Sequence, residues 1–222
     1  MKINNVYYII LLFITIFPIM AFAEEKYSIS TFTSPSLSSS NNTNVDFATN
    51  TEFIKIKLSA AISNKQAGNN ELTQTHTFTP ITEIYTLNRD QLSSADNELN
   101  KTLIDSLKNL TSIVIKSTPA ELADSAASVE SLLNKTRVIV IPENEIGDIK
   151  YNMSTLINLL KTAKSEYYIG IANGTITNIS EYQNPHEFVS SANELLNKTT
   201  NSLNQTLASN LSKIKDSLQE LH

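Results

Sequence analysis

No cysteine occurs anywhere in this chain of 222 residues, yet its opening reads as a secretory signal. Whatever it folds into beyond the cytoplasm must therefore hold by packing and hydrogen bonding, with no disulfide to staple it. Lys2 gives the signal its positive start, and Val6 to Met20 is apolar apart from Thr15. Ala21-Phe22-Ala23 then sets small residues at the two positions a signal peptidase reads, ahead of Glu24 and Glu25. The apolar run is about 15 residues, short of the roughly 20 that span a bilayer as a helix. The sequence thus predicts cleavage after Ala23, no transmembrane segment in the mature chain, and a periplasmic or secreted location. The lack of cysteine and an excess of Ile, Asn and Lys over Arg tilt that reading toward a bacterial cell envelope.

The charge balance narrows the chemistry. The net charge of −5 becomes more negative by one once Lys2 is removed, and Arg89 and Arg137 are the only arginines. Phosphate backbones need clustered basic groups, so no nucleic-acid partner is expected. The four glycines, Gly68, Gly147, Gly170 and Gly174, build no phosphate-cradling loop, and no Gly-x-Ser-x-Gly elbow presents a nucleophile. His76, His186 and His222 show no metal-ligand spacing. One carboxylate cluster, Glu143, Glu145 and Asp148 bent around Gly147, offers oxygens of the type hard cations take, although its spacing matches no EF-hand loop. No catalytic residue and no cofactor is predicted. The Asn-x-Ser/Thr triplets that begin at Asn41, Asn100, Asn109 and Asn134 would be glycan acceptors only in a eukaryotic host.

The expected architecture is a single α+β domain over residues 52–222, after the 1–23 signal and a flexible Ser/Thr/Asn-rich leader over 24–51. In the leader, the tract from Ser34 to Asn50 holds few large apolar groups to offset its ordering entropy. From Glu52 to Ile62 the pattern has period two, with Ile54, Ile56, Leu58 and Ala60 on one face, as in a half-buried strand. A polar turn containing Gly68 and a β-branched run from Thr73 to Leu87 would close an N-terminal antiparallel hairpin, with Pro80 at an edge or bulge.

The centre alternates helix and strand. Leu92, Leu99, Leu103, Leu107 and Leu110 recur at helical spacing behind a Ser93 or Ser94 cap. Ile113-Val114-Ile115 reads as a short buried strand. Thr118-Pro119-Ala120-Glu121 is a capping box with proline in the first turn, opening a helix to about Thr136. Val138 to Ile141, apolar on both faces, suits the middle of a sheet, and Met153 to Leu160 marks a third helix. Tyr167–Ala172 and Thr175–Ser180 flank Asn173-Gly174, the pair that best tolerates positive φ in a two-residue hairpin turn.

Asn184-Pro185-His186-Glu187 repeats the cap logic and opens a long C-terminal helix. Its apolar or small positions recur about every 3.7 residues, nearer a straight helix than a left-handed coiled coil. Its last apolar positions, Leu203, Leu207, Leu211, Ile214, Leu218 and Leu221, are the candidate contact surface for a protein partner or a second copy. With catalytic signatures missing, the sequence predicts a non-enzymatic exported protein acting through protein contacts. The alternative is an exported enzyme or small-ligand binder whose site assembles from dispersed polar residues.

Overall fold

The computed structural model describes residues 42–201 and Asp216. Over those residues the chain is helical almost throughout: α1 (Thr43–Gln66), α2 (Asn70–Thr79), a π-helical turn (Pro80–Ile84), α3 (Tyr85–Ala95), α4 (Asn97–Ile113), α5 (Pro119–Val140), α6 (Glu143–Ile146), α7 (Ile149–Gly170), α8 (Ile179–Tyr182) and α9 (Pro185–Asn201). The sheet among the described residues is one ladder, β1 (Ile171–Ala172) antiparallel to β2 (Thr175–Ile176), with Ile171 opposite Ile176. The expected α+β domain is therefore corrected to a helical bundle.

The largest correction is α1. The stretch read as a half-buried strand from Glu52 to Ile62 is the middle of this helix, which packs against α2, α3, α5, α7 and α9. A helix enclosed on most sides needs no polar face, so its apolar residues lose the 3.6-residue rhythm that marks a surface helix. Phe53, Ile54, Ile56, Leu58 and Ala61 are all buried, and the alternation with Lys55 and Ser59 is incidental. Two of the polar residues in this core are satisfied within the helix. Thr49 and Thr51 donate their hydroxyls to the carbonyls of Val45 and Phe47, each at 2.8 Å, a bond that lets Ser and Thr sit inside a helix.

The helix also begins within the stretch assigned to a flexible leader. Asn42 caps it by accepting from the N–H groups of Asn44 and Val45, and Val45, Phe47 and Ala48 are buried.

The second strand of the expected hairpin is likewise helical. Thr73, Thr75 and Thr79 return their hydroxyls to carbonyls four residues back, which accommodates a β-branched run in α2. Pro80 lacks the N–H a regular helix would use there, and the chain widens into the π turn, closed by Tyr85 N–H on Pro80 O. In α4 the N-cap is Asp96, accepting from Leu99 N–H at 2.9 Å, rather than Ser93 or Ser94. Leu103, Leu107 and Leu110 face the core.

The two central strands fail for a common reason: each β-branched run is too short to leave the helix or turn it adjoins. Ile113 ends α4, Val114 is buried and Ile115 is exposed. Val138 and Ile139, 69% and 45% exposed, lie in the last turn of α5 rather than in mid-sheet, and of that run only Ile141 is fully buried. The Thr118 box is present, with Thr118 N–H on Glu121 Oε2 at 2.7 Å and Glu121 N–H on Thr118 Oγ1 at 3.3 Å, and the helix it opens propagates past Thr136 to Val140. The Asn173-Gly174 turn also forms, with φ of 53° and 74°. Its strands are two residues each, because Tyr167 to Gly170 complete α7.

Candidate functional site

The polar centre of the molecule lies where α1, α2, α7 and α8 meet. Lys57, in the middle of α1, is 1% exposed, and an unpaired ammonium there would be strongly unfavourable. Its Nζ lies 3.0 Å from Glu181 Oε2 of α8 and 3.5 Å from Glu166 Oε2 of α7. The Phe53 ring sits under it, with 5.1 Å from Nζ to the ring centroid, and Phe188 of α9 meets Phe53 edge-on at 4.8 Å.

A second arm reaches α2. His76 is fully buried and Nε2–H donates to Gln183 Oε1 at 3.0 Å. Asn64 Nδ2 donates to the same oxygen at 3.0 Å and to Ala60 O at 2.8 Å.

Local structure holds the acids in place. Gly170 ends α7 so close to α8 that a Cβ there would lie 2.8 Å from the backbone nitrogen of Tyr182; only glycine lets the two elements meet at that point. Asn178 caps α8 by accepting from Glu181 N–H, which fixes the turn carrying Glu181. Asn184, expected to cap α9 with its side chain, instead turns inward and donates to Glu166 Oε2 at 2.7 Å and to Ser180 O at 3.0 Å.

Burial dominates the electrostatics. It lifts Glu166 from the usual 4.5 to about 8, and hydrogen bonding to Glu181 pushes the same way. Burial would also raise Glu181, but its hydrogen bond with Glu166 and the Lys57 ammonium outweigh that and hold it below the usual carboxylate range. His76 falls from 6.5 to about 4, chiefly by burial.

The charged members, Lys57, Glu166 and Glu181, do not stand out in the sequence, although one signal is there. Counted as a helix, Lys57 has Phe53, Ile54, Ala60 and Ala61 at three and four residues to either side, an apolar ring that marks a buried cation in need of a partner.

The carboxylates singled out as a possible cation site are turned to separate tasks. Glu143 is exposed in the first turn of α6, and Glu145 Oε2 accepts from Asn44 Nδ2 at 3.1 Å. Asp148 caps α7 by accepting from Tyr151 N–H at 2.9 Å. Among the described residues no group of three or more His, Asp or Glu is placed to hold a metal ion. An Asp148→Ala variant is expected to lose about 1 kcal/mol of stability in urea unfolding, and Asp148→Asn very little, because asparagine caps as well as aspartate. Leu203, Leu207, Leu211, Ile214, Leu218 and Leu221 lie outside the described residues, as does the signal segment.

These observations define a helical bundle wrapped around a central helix, with ionised groups enclosed at its heart. Residues 142–222, under half of the chain, match the family model of the iron permease-associated 4-helix bundle domain. No curated protein and no solved structure matches the chain. The family match overturns the expectation of a non-enzymatic periplasmic or secreted protein of the cell envelope acting through protein contacts. With it go the expected partner or second copy on the C-terminal helix and the expected mature chain without a transmembrane segment; the functional reading starts instead from a domain associated with iron permeases. Among the described residues no helix is long and apolar enough to cross a membrane.

Proposed function

We propose that this protein is a component of a membrane iron-permease system, with residues 142–222 as its permease-associated helical domain. The observation that carries the reading is the family match over that segment. Two features of the fold support it. The described part of the segment contains α7 and α9, long helices packed along each other, and α1 lies against both as a further member of the bundle. Four residues of the buried network, Glu166, Glu181, Gln183 and Asn184, also belong to the segment. The apolar stretch from Val6 to Met20 suits a chain delivered to a membrane.

In this reading iron is the cargo of the system. Uptake of radioactive iron by cells lacking the gene, compared with the same cells carrying it back, tests the assignment. Uptake is expected to fall several-fold without the gene, with zinc and manganese uptake unchanged. Equal iron uptake in the two strains would overturn it.

A further inference from the structure

The buried network carries one ammonium and two carboxyl groups. Glu166 Oε2 faces Lys57 Nζ at 3.5 Å and accepts from Asn184 Nδ2 at 2.7 Å, whereas its second oxygen, Oε1, is buried and meets no donor. An ionised carboxylate with a bare oxygen at zero exposure is strongly unfavourable. A proton on Glu166 removes that penalty and gives Glu181 a hydrogen bond. We propose that Glu166 and Glu181 share a single proton, so that the junction of α1, α7 and α8 is neutral as a whole and acts as a proton-dependent clamp on the bundle. This inference stands apart from the iron reading.

The other titratable groups that face the cluster are His76 from α2, hydrogen-bonded to Gln183, and Glu83 on the π turn, which senses the charges of Lys57 and Glu181. The pH dependence follows from these groups together. Glu166 keeps its proton to about pH 8 when folded, against an ordinary 4.5. Between those values the folded chain holds the extra proton, so stability falls as pH rises, at a limiting slope of about tenfold in the folding constant per pH unit. His76 acts in the opposite sense. Its value falls from 6.5 to about 4, so over that window the unfolded chain holds the extra proton and stability rises with pH. The two slopes oppose each other from about pH 4.5 to 6.5, leaving Glu166 alone from 6.5 to 8. Glu181, held low, contributes stability that is lost only on acidification through its folded value.

Urea unfolding of the whole chain between pH 5 and 8.5 tests the clamp. The wild-type folding constant is expected to fall by about tenfold or more from pH 6.5 to 8. Glu166→Gln, which keeps the shape and has no proton to lose, is expected to be flat over that range. In Glu181→Gln, Glu166 is left with Lys57 alone and ionises as its partner, so the decline should shrink. An undiminished decline in either variant overturns the shared proton. If Glu166→Gln does not fold, infrared spectroscopy of the wild type decides: a buried protonated-carboxyl band at neutral pH that disappears by pH 9 supports the clamp, and its absence overturns it.

Discussion

Replacing Lys57 by methionine is expected to cost the protein about 3–5 kcal/mol, the usual result of removing one partner from a buried charged group. Methionine fills much of the same space, so the loss comes from Glu181, whose ionised carboxylate has Lys57 Nζ at 3.0 Å, and from Glu166, which loses a nearby positive charge. The midpoint of urea unfolding reads the effect. A triple variant, Lys57→Met with Glu166→Gln and Glu181→Gln, should recover a large part of it, because neutral groups of similar shape carry no stranded charge. A single variant as stable as the wild type would mean that the three groups are not coupled as described.

Phe188→Ala is expected to have a similar effect for a different reason. The ring is fully buried and touches Phe53 edge-on at 4.8 Å, and Phe53 in turn underlies the Lys57 ammonium. Removing it opens a cavity where α9 packs on the centre of the bundle, a loss of about 3–5 kcal/mol for a phenylalanine of this burial. Phe188→Leu keeps most of the volume and should cost less than about 1.5 kcal/mol. Thermal unfolding of the two variants side by side separates cavity formation from any specific need for an aromatic ring.

What the sequence shows of this fold is mainly where its elements start and turn. The box at Thr118 and the Asn173-Gly174 turn are fixed by bonds within a few residues of each other, and such local chemistry is visible in a string of letters. The interior of α1 is not. Its burial comes from α2, which folds straight back onto it, and from α5, α7 and α9, which are distant in sequence, and once most sides are covered the hydrophobic rhythm that distinguishes helix from strand disappears. The threonines of α2 misled in a related way: they favour strands by side-chain shape, but each can spend its hydroxyl on its own helix. Val138 to Ile141 looks like the middle of a sheet only if something covers both faces, and in the molecule Val138 is 69% exposed. The polar centre was the least legible part. Its members come from positions 57, 64, 76, 166, 181, 183 and 184, and no motif spans such separations.

The enclosed ammonium and the enclosed acids lie on opposite sides of residue 142. Glu166 and Glu181 fall inside the segment that resembles a permease-associated domain, whereas their counter-ion, Lys57, arrives from a helix far upstream, 109 residues before the first acid and 124 before the second. That segment, cut out and produced by itself, would bring its acids to the interior with nothing to neutralise them. A folded piece of this molecule therefore has to keep α1, the helix that carries Lys57.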